Sequence, residues 1–222
     1  MNIAEAAEDP SVLKTLERFV LSALSDARKW SGGKYTTVYH FDSKAEMIRQ
    51  THERCPGVAA RMSILQMGHY VENWRAFAKM APQKQPDGSF LLARTTPLSF
   101  EMPFVVARRD TGPFVKALLD LPVGKTLLAV SAYMKMDDYA ELWGRVNGVK
   151  TTYKEISNEE FFGSVPAALG DELRDGFDYM HEFGFSGGDP DVLTPKQLDF
   201  EVPVTSLEDW IKGEDWSSIL KV

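Results

Sequence analysis

The segments RFVLSAL (residues 18–24) and YHFDSKAEMIRQTHE (residues 39–53) decide the fold class of this chain. The first is a short apolar run, which is typical of a strand buried on both faces of a parallel sheet. In the second, Phe41, Ala45 and Ile48 recur at helical spacing and share one side of a helix. A buried strand followed by an amphipathic helix is the repeating unit of α/β folds.

The same order repeats directly downstream. ARMSILQM (residues 60–67) predicts the next strand, and ENWRAFAKM (residues 72–80) predicts the next helix. Two strand–helix units in succession favour a parallel α/β sheet. The Asp-Gly turn in APQKQPDGSF (residues 81–90) predicts a loop after the second unit.

Past residue 81 the pattern is mainly helical. RRDTGPFVKALLDLP (residues 108–122) predicts a helix capped by Asp110 or Thr111, with Pro113 in its first turn. TLLAVSAY (residues 126–133) predicts one more strand. Further helices are predicted at DDYAELWGRVNG (residues 137–148), PAALGDELRDGFDYMHEFG (residues 166–184) and SLEDWIK (residues 206–212), the last opened by a capping box of Thr205 and Glu208.

Composition and charge argue against a nucleic-acid partner. The chain has 222 residues, of which 44% are hydrophobic and 26% charged, as in an ordinary globular domain. Its net charge is −7, and the basic residues near 79–84 and 108–109 have acidic neighbours. Nucleic-acid binding needs clustered positive charge, so we expect no such partner.

Cysteine content and the distribution of apolar residues indicate a cytoplasmic protein without a membrane partner. Cys55 is the single cysteine, so no disulfide can form within the chain, as expected in a reducing compartment. The sequence MNIAEAAEDPSV (residues 1–12) is acidic and polar, unlike a signal or transit peptide. No apolar run is long enough to span a bilayer.

Two residues of the predicted helix over 39–53 are candidates for chemistry. His40 and Lys44 lie four residues apart and share a face, whereas Tyr39 points roughly 100° away from His40. A cation one turn from a proton-handling group lowers the pKa of that group and suits acid–base chemistry. A solvated helix can show the same spacing, so this pair alone leaves both interpretations open.

Four blocks of sequence together resemble one protein family, and HFDSK (residues 40–44) and PDG (residues 86–88) are their most specific parts. Their order and spacing are similar to those of the NmrA-like family of atypical short-chain dehydrogenases. The resemblance implies an α/β fold, with a partial Rossmann-like parallel sheet, flanking helices and a mainly helical C-terminal substrate lobe. The four blocks are residues 18–47, 64–73, 80–92 and 108–119.

The resemblance also implies a cofactor and its contacts. NADP would be the cofactor, Lys44 would contact the bound dinucleotide, and His40 would take the place of the tyrosine found in other short-chain dehydrogenases. The turn Tyr70, Val71, Glu72 and Asn73 matches the family segment that lines the nicotinamide end. A small molecule would be the substrate.

Physical reasons support the second site independently, although a structural interpretation stays open. Open α/β sheets bind ligands outside the carboxyl ends of their strands, and Gly68 follows the strand predicted over 60–67. Against this, Tyr70 and Trp74 could be core aromatics and Asn73 a cap residue. Catalytic residues stay unassigned, because Ser22 and Ser25 both lie near the end of the first strand. No histidine has metal-ligand spacing.

The sequence departs from the family in one respect. None of its 16 glycines forms the Gly-x-x-Gly-x-x-Gly turn that holds a pyrophosphate. The resemblance implies a single domain, 1–222, in which residues 1–81 are a remnant of the dinucleotide-binding half and residues 82–222 are mainly the substrate-binding part. We therefore expect weak or absent NADP binding by this chain alone.

Three explanations of this departure stay open. The chain is a truncated or mispredicted version of an enzyme, or a short protein that has lost its cofactor, or a protein that completes its sheet by homo-oligomerisation. Two functions follow. The first is an NADP-dependent oxidoreductase acting on a small metabolite in fungal secondary-metabolite biosynthesis. The second is a non-catalytic, dinucleotide-sensing regulator with a protein partner, or a pseudo-enzyme.

Overall fold

A computed structural model describes residues 2–221, whose strands form three separate sheets. The strands are β1 (Phe19–Ala23), β2 (Met62–Met67), β3 (His69–Tyr70), β4 (Gln83–Lys84), β5 (Phe90–Arg94), β6 (Met102–Val105), β7 (Thr126–Ala129), β8 (Ala132–Met134), β9 (Thr151–Glu155) and β10 (Val192–Leu193). The helices are α1 (Asn2–Ala7), α2 (Pro10–Leu13), α3 (Ala27–Trp30), α4 (Tyr39–Arg54), α5 (Pro56–Ala59), α6 (Ala107–Asp120), α7 (Met136–Asn147), α8 (Asn158–Phe162), α9 (Ala167–Phe183), α10 (Leu207–Gly213) and α11 (Ser217–Leu220). Short 3₁₀ helices lie at Val71–Arg75, Ala78–Met80 and Pro195–Gln197.

The central sheet contains four parallel strands in the order β1-β2-β7-β10. Leu21 of β1 lies beside Ile64 of β2, and Leu65 of β2 lies beside Leu127 of β7. Within residues 2–221, β1 pairs on one side only and is an edge strand. The predicted α/β class with a parallel sheet and flanking helices is confirmed.

Helix α4 and strand β2 follow the sequence pattern closely. Phe41 and Ala45 of α4 are buried, and Ile48 is half-buried, as the helical spacing predicts. The helix ends at Arg54, where Cys55 and Pro56 stop it. Strand β2 is buried on both faces, which explains its unbroken apolar character.

The other two sheets are small and lie outside the central one. One has the order β3-β6-β8, with β6 and β8 antiparallel; the other has the order β4-β5-β9, with β5 and β9 parallel. The prediction of a single strand over residues 126–133 was wrong, because this segment divides into β7 and β8, which belong to different sheets. Ser131 lies at the break, where its hydroxyl donates to Asp110 (2.6 Å) and accepts from the Val106 amide (3.0 Å).

The prediction of an α-helix over residues 72–80 was also wrong, because two 3₁₀ helices occupy this segment. Val71 and Trp74, three residues apart, are both buried, and that spacing matches the three residues per turn of a 3₁₀ helix. Phe77 then adopts an extended conformation that ends the first segment and turns Met80 and Ala81 into the core.

Helix α6 begins at Ala107, earlier than predicted, so Asp110 and Thr111 are not its caps and Pro113 lies in its interior. The carboxylate of Glu72 accepts the first amides of the helix, from Ala107 (3.4 Å) and Arg108 (3.2 Å). A cap supplied by another segment leaves no mark in the local sequence.

Asp110 is a buried anchor between α6 and the chain before α10. Its carboxylate accepts hydrogen bonds from the amide (3.1 Å) and hydroxyl (2.8 Å) of Thr205 and from Ser131. Thr205 is therefore not the cap of α10, and the predicted capping box was wrong. Ser206 is the cap instead, and it accepts from the Asp209 amide (3.0 Å).

Helix α9 packs across α4 and the segment before it. Tyr179 of α9 meets Phe41 edge-on, with ring centroids 5.7 Å apart. Acidic side chains of α9 hold the opposite segment: Asp175 accepts from Thr37, and Glu182 pairs with Lys34. These contacts hold α9 against the segment before α4.

No helix within residues 2–221 has the length and apolar character needed to traverse a lipid bilayer.

We predict that Asp110→Ala destabilises the chain by roughly 2–4 kcal/mol, because it removes a buried carboxylate and leaves three part-buried donors without an acceptor. Urea denaturation followed by tryptophan fluorescence measures the change. Asp120→Ala, in the last turn of the same helix, removes only an exposed pair with Lys116 and should change stability by about 0.5 kcal/mol or less. Equal effects of the two substitutions would contradict the anchoring role of Asp110.

Candidate functional site

A cavity opens at the carboxyl ends of β1 and β2. Its volume is about 280 Å³, near the lower end of the usual range for small-molecule sites, and it is partly open to solvent. The ends of the two strands form its floor, and α4, α9 and the chain from Tyr70 to Met80 form its walls. The lining residues are Ser22, Ala23, Leu24, His40, Phe41, Lys44, Met67, Gly68, His69, Tyr70, Asn73, Phe77, Met80, Leu173, Gly176, Phe177, Met180 and Phe185.

Gly68 sets the geometry of the floor. A Cβ at this position would lie 2.4 Å from the carbonyl oxygen of Pro103 and 2.9 Å from that of Ala129. Only glycine lets the end of β2 come this close to the neighbouring backbones. The close approach brings the next residues, His69 and Tyr70, to the cavity wall.

The structure brings together three of the five residues that the sequence suggested for cofactor binding. Lys44, Tyr70 and Asn73 line the cavity. Val71 does not, because it is buried in the core at 5% exposure. Glu72 does not either, because its carboxylate caps α6.

Lys44 gives the cavity its positive charge. Among the residues that the structure describes, it is the only lysine or arginine in the lining, and no aspartate or glutamate lines the cavity. Within the same residues, its ammonium makes no hydrogen bond or ion pair. The Asn73 side-chain amide likewise has no partner there. Both groups are available to a ligand that offers hydroxyl, carbonyl or phosphate oxygens.

His40 faces the same cavity from α4 and contacts α9. Its Nδ1 lies 2.7 Å from Oε1 of Glu172, and its backbone amide donates to the same oxygen at 2.9 Å. Its side chain is 43% exposed. Gly176 leaves room for the ring, because a Cβ there would lie 3.3 Å from the Cε1 atom of His40.

His69 is the second histidine of the cavity and is held neutral. Burial, with a smaller effect from the positive charge of Arg94, lowers the pKa of His69 to about 3. Its ring packs near Phe104 and Phe177, with centroids 5.8 and 6.1 Å away. Arg94 is itself buried, and its guanidinium donates to the carbonyl of Met80, so it fixes the wall that Met80 belongs to.

The structure separates the two candidate serines. Ser22 is exposed and lines the cavity. Ser25 is buried outside it, with its hydroxyl 2.9 Å from the Tyr179 hydroxyl and donating to the carbonyl of Phe185 (3.2 Å). Burial raises the pKa of Tyr179 to about 12, so that hydroxyl stays protonated. Within residues 2–221, no group of three or more histidine, cysteine, aspartate or glutamate side chains could hold a metal ion.

Sequence reasoning missed the contribution of α9. Glu172 lies 132 residues from His40, so nothing in the local pattern of either helix could reveal their contact. Arg94 was missed for a different reason, because a strand arginine is normally expected to reach solvent.

The sequence profile of the NmrA-like family matches residues 1–219. The chain belongs to the NmrA-like family. A search of curated proteins finds no significant match.

Among solved structures, the chain is similar to NmrA, a negative transcriptional regulator, in complex with NADP. The TM-score is 0.64 at 14% identity, over 95% of this chain and 67% of that one. It is similar to the binary complex of leucoanthocyanidin reductase and NADPH from Vitis vinifera, with a TM-score of 0.63 at 13% identity, over 95% and 71% of the two chains.

A third similar structure is an NADPH-dependent quinone oxidoreductase from Escherichia coli, with a TM-score of 0.61 at 19% identity, over 96% and 71% of the two chains. At these identities, the three likenesses show the shared fold. Another crystal form of NmrA is matched over 82% of this chain and 55% of that one, so the chain spans only part of the length of these structures.

We predict that stability falls as pH is lowered from 7 to 5, because His69 must be protonated on unfolding. A histidine with a pKa of about 3 when folded and an ordinary value near 6.5 when unfolded binds more protons in the unfolded state throughout this interval. It therefore removes about 2 kcal/mol of stability between pH 7 and pH 5. His181, whose pKa burial lowers to about 4, acts in the same direction.

Urea denaturation at the two pH values tests this dependence. His69→Gln should reduce the loss of stability between pH 7 and pH 5, whereas His52→Gln, which changes an exposed residue of α4, should leave it unchanged. If His69→Gln keeps the full loss, His69 is not the group that titrates.

Proposed function

We propose that this chain forms the nicotinamide and substrate end of an NADP-dependent oxidoreductase that acts on a small, mainly apolar metabolite. The observation that carries the proposal is a single cavity, at the carboxyl ends of β1 and β2, lined by Lys44, Tyr70, Asn73 and His40. Ligands of open α/β sheets bind at this edge. Two of the solved structures to which the chain is similar are a reductase in complex with NADPH and an NADPH-dependent quinone oxidoreductase.

The residues of the chain fit one end of the cofactor. Lys44 and Asn73 offer donors without partners among the described residues, which suits the ribose hydroxyls and the carboxamide of a nicotinamide nucleoside. No glycine-rich turn for a pyrophosphate occurs in the 222 residues. A bound nicotinamide would supply or accept a hydride.

The side chains around that nicotinamide have distinct roles in the proposal. The ammonium of Lys44 donates to ribose hydroxyls. The imidazole of His40 exchanges a proton with the oxygen of the substrate. Apolar side chains such as Leu24, Met67 and Phe177 exclude water and select an apolar, aromatic or polyketide-like substrate.

The finer parts of the proposal rest on the family resemblance. One is the division of a single domain into a remnant of the dinucleotide-binding half (residues 1–81) and a mainly substrate-binding part (residues 82–222). The other is a role in fungal secondary-metabolite biosynthesis. The free, buried thiol of Cys55 is consistent with a cytoplasmic location.

A second candidate function is a dinucleotide-sensing regulator that acts through protein contacts. The similarity to NmrA, a negative transcriptional regulator, favours it. A partner or a second copy of the chain could pair with the unpaired side of β1, because a free strand edge presents unpaired backbone groups. Such a regulator would bind a nicotinamide nucleotide and transfer no hydride.

We predict that nicotinamide and adenosine fragments of the cofactor behave differently. Reduced nicotinamide mononucleotide and NADPH should both bind in the millimolar range, roughly −4 kcal/mol, because the adenosine half finds no phosphate turn. Adenosine 2′,5′-bisphosphate should not bind measurably. NMR titration of the chain with each ligand measures the affinities.

Turnover separates the two functions. At millimolar NADPH, absorbance at 340 nm should fall when quinones or aromatic ketones are added. Binding of the mononucleotide with no oxidation by any such acceptor would favour the regulator. Absence of mononucleotide binding would overturn both functions, and micromolar binding of NADPH would show that the phosphates are held by residues without the expected turn.

We predict that Lys44→Ala weakens binding of reduced nicotinamide mononucleotide by about 1.5–3 kcal/mol, the usual loss for a charged hydrogen bond. Lys44→Arg should not restore the affinity, because a planar guanidinium cannot replace a compact ammonium in a narrow site. Lys29→Ala is the control, since Lys29 lies over the ring of Trp30, 4.4 Å from its centroid and outside the cavity. Equal affinities of the Lys44→Ala and Lys29→Ala variants would mean that Lys44 is an ordinary helix lysine.

A further inference from the structure

One carboxylate oxygen of α9 fixes the histidine of the cavity. Oε1 of Glu172 accepts the backbone amide of His40 at 2.9 Å and lies 2.7 Å from Nδ1 of the same residue. The Glu172 side chain is 20% exposed, so water competes little for it. An ionised carboxylate only accepts hydrogen bonds, so the proton of this contact belongs to Nδ1.

The other ring nitrogen is left for a ligand. With a proton on Nδ1, a neutral imidazole has its lone pair on Nε2. Nε2 makes no hydrogen bond within residues 2–221, and it lies 3.7 Å from the position of a Cβ built on Gly176. Because His40 and Gly176 both line the cavity and Nε2 lies close to Gly176, we infer that Nε2 is accessible to a ligand in the cavity.

The neighbouring carboxylates of α9 are engaged elsewhere. Asp171 pairs with Arg174 at 3.3 Å. Asp175 accepts from the hydroxyl of Thr37. Glu172 is therefore the acidic side chain of this helix that contacts the His40 ring.

We propose that Glu172 is a positioning residue that holds His40 as the Nδ1–H tautomer, so that Nε2 exchanges a proton with the hydroxyl or carbonyl oxygen of a ligand. In the oxidation direction, Nε2 of His40 would accept the hydroxyl proton of a substrate alcohol whose carbon-bound hydride would pass to a bound oxidised nicotinamide; reduction would reverse both transfers. The resulting imidazolium is stabilised by the Glu172 carboxylate. This step rests on the proposed function, whereas the tautomer does not.

Long-range ¹H–¹⁵N NMR correlations of the full chain distinguish the two tautomers directly. Spectra at about pH 8.5, well above the ordinary histidine pKa, report neutral rings. The signals of His40 are identified by their loss in His40→Asn. We expect His40 to be the Nδ1–H form in the unmodified chain and in Glu172→Gln, whose amide oxygen accepts the same bonds.

Two variants show whether Glu172 causes the preference. Glu172→Ala should give a mixture of both tautomers, because nothing then holds the proton on Nδ1. Asp171→Ala is the matched control and should keep the Nδ1–H form. An Nε2–H ring in the unmodified chain would overturn the proposal without any variant, and so would an unchanged tautomer in a folded Glu172→Ala chain.

Activity provides an independent measurement. If the chain oxidises NADPH, Glu172→Ala should lower kcat about 10-fold or more while leaving the KM for NADPH nearly unchanged, and Glu172→Gln should recover part of the loss. An unchanged kcat in Glu172→Ala would overturn the role of Glu172 in proton transfer. If no carbonyl acceptor is reduced but His40 shows the expected tautomer, the proposed oxidoreductase function fails and the positioning by Glu172 stands.

Discussion

The contact of α9 with residues 34–41 is the constraint on which the cavity depends. Three acidic side chains of α9 (Glu172, Asp175 and Glu182) hold that segment, and Phe41 packs against Tyr179. The contact places α9 beside the carboxyl ends of β1 and β2, where it forms one wall of the cavity. The partners are 132–148 residues apart in the chain, so a long loop must close before they meet. Polar and aromatic contacts together therefore offset the entropy of closing the site.

Local sequence patterns correctly predicted the helices and strands whose buried residues recur with the period of that element or form an unbroken apolar run. Strand β2 is an apolar run buried on both faces, and α4 shows its buried face at helical spacing. Strand β1 was correctly predicted as a parallel strand, but it lies at the edge of the sheet and is mostly half-buried rather than buried on both faces. The failures share a different cause. Helix α6 is capped by Glu72, about 35 residues away, and Asp110 is held in place by Thr205, 95 residues away. Residues that serve distant partners carry no periodic signal in their own segment.

The residues of the candidate site likewise include some that local sequence patterns could predict and some that they could not. Lys44 could be predicted because its helix and the strand before it are local features, and the structure brings it into one cavity with Tyr70 and Asn73. The consecutive residues 70–73 could not all face a ligand, because a 3₁₀ helix directs successive side chains about 120° apart. Val71 and Glu72 accordingly serve the core and the start of α6. The cavity wall made by α9 needed the tertiary fold.

The electrostatics of the cavity bear on the choice between a reductase and a regulator. Both functions require a donor for a nicotinamide nucleotide, and Lys44 could serve either. A sensor needs nothing further, and a loosely held histidine beside the ligand would suffice.

Only proton transfer requires an imidazole in one fixed tautomer. Fixing the His40 tautomer through Glu172 removes most of the water around the Glu172 carboxylate, which is 20% exposed. That desolvation costs free energy, which the contacts of the carboxylate must offset. Part of the compensation is structural, since the same oxygen accepts the His40 amide at the start of α4. The amide alone could be capped by a shorter side chain such as serine or aspartate in the chain before it. The additional ring contact, formed across two helices on the wall of an apolar cavity, is the feature that weighs in favour of the reductase.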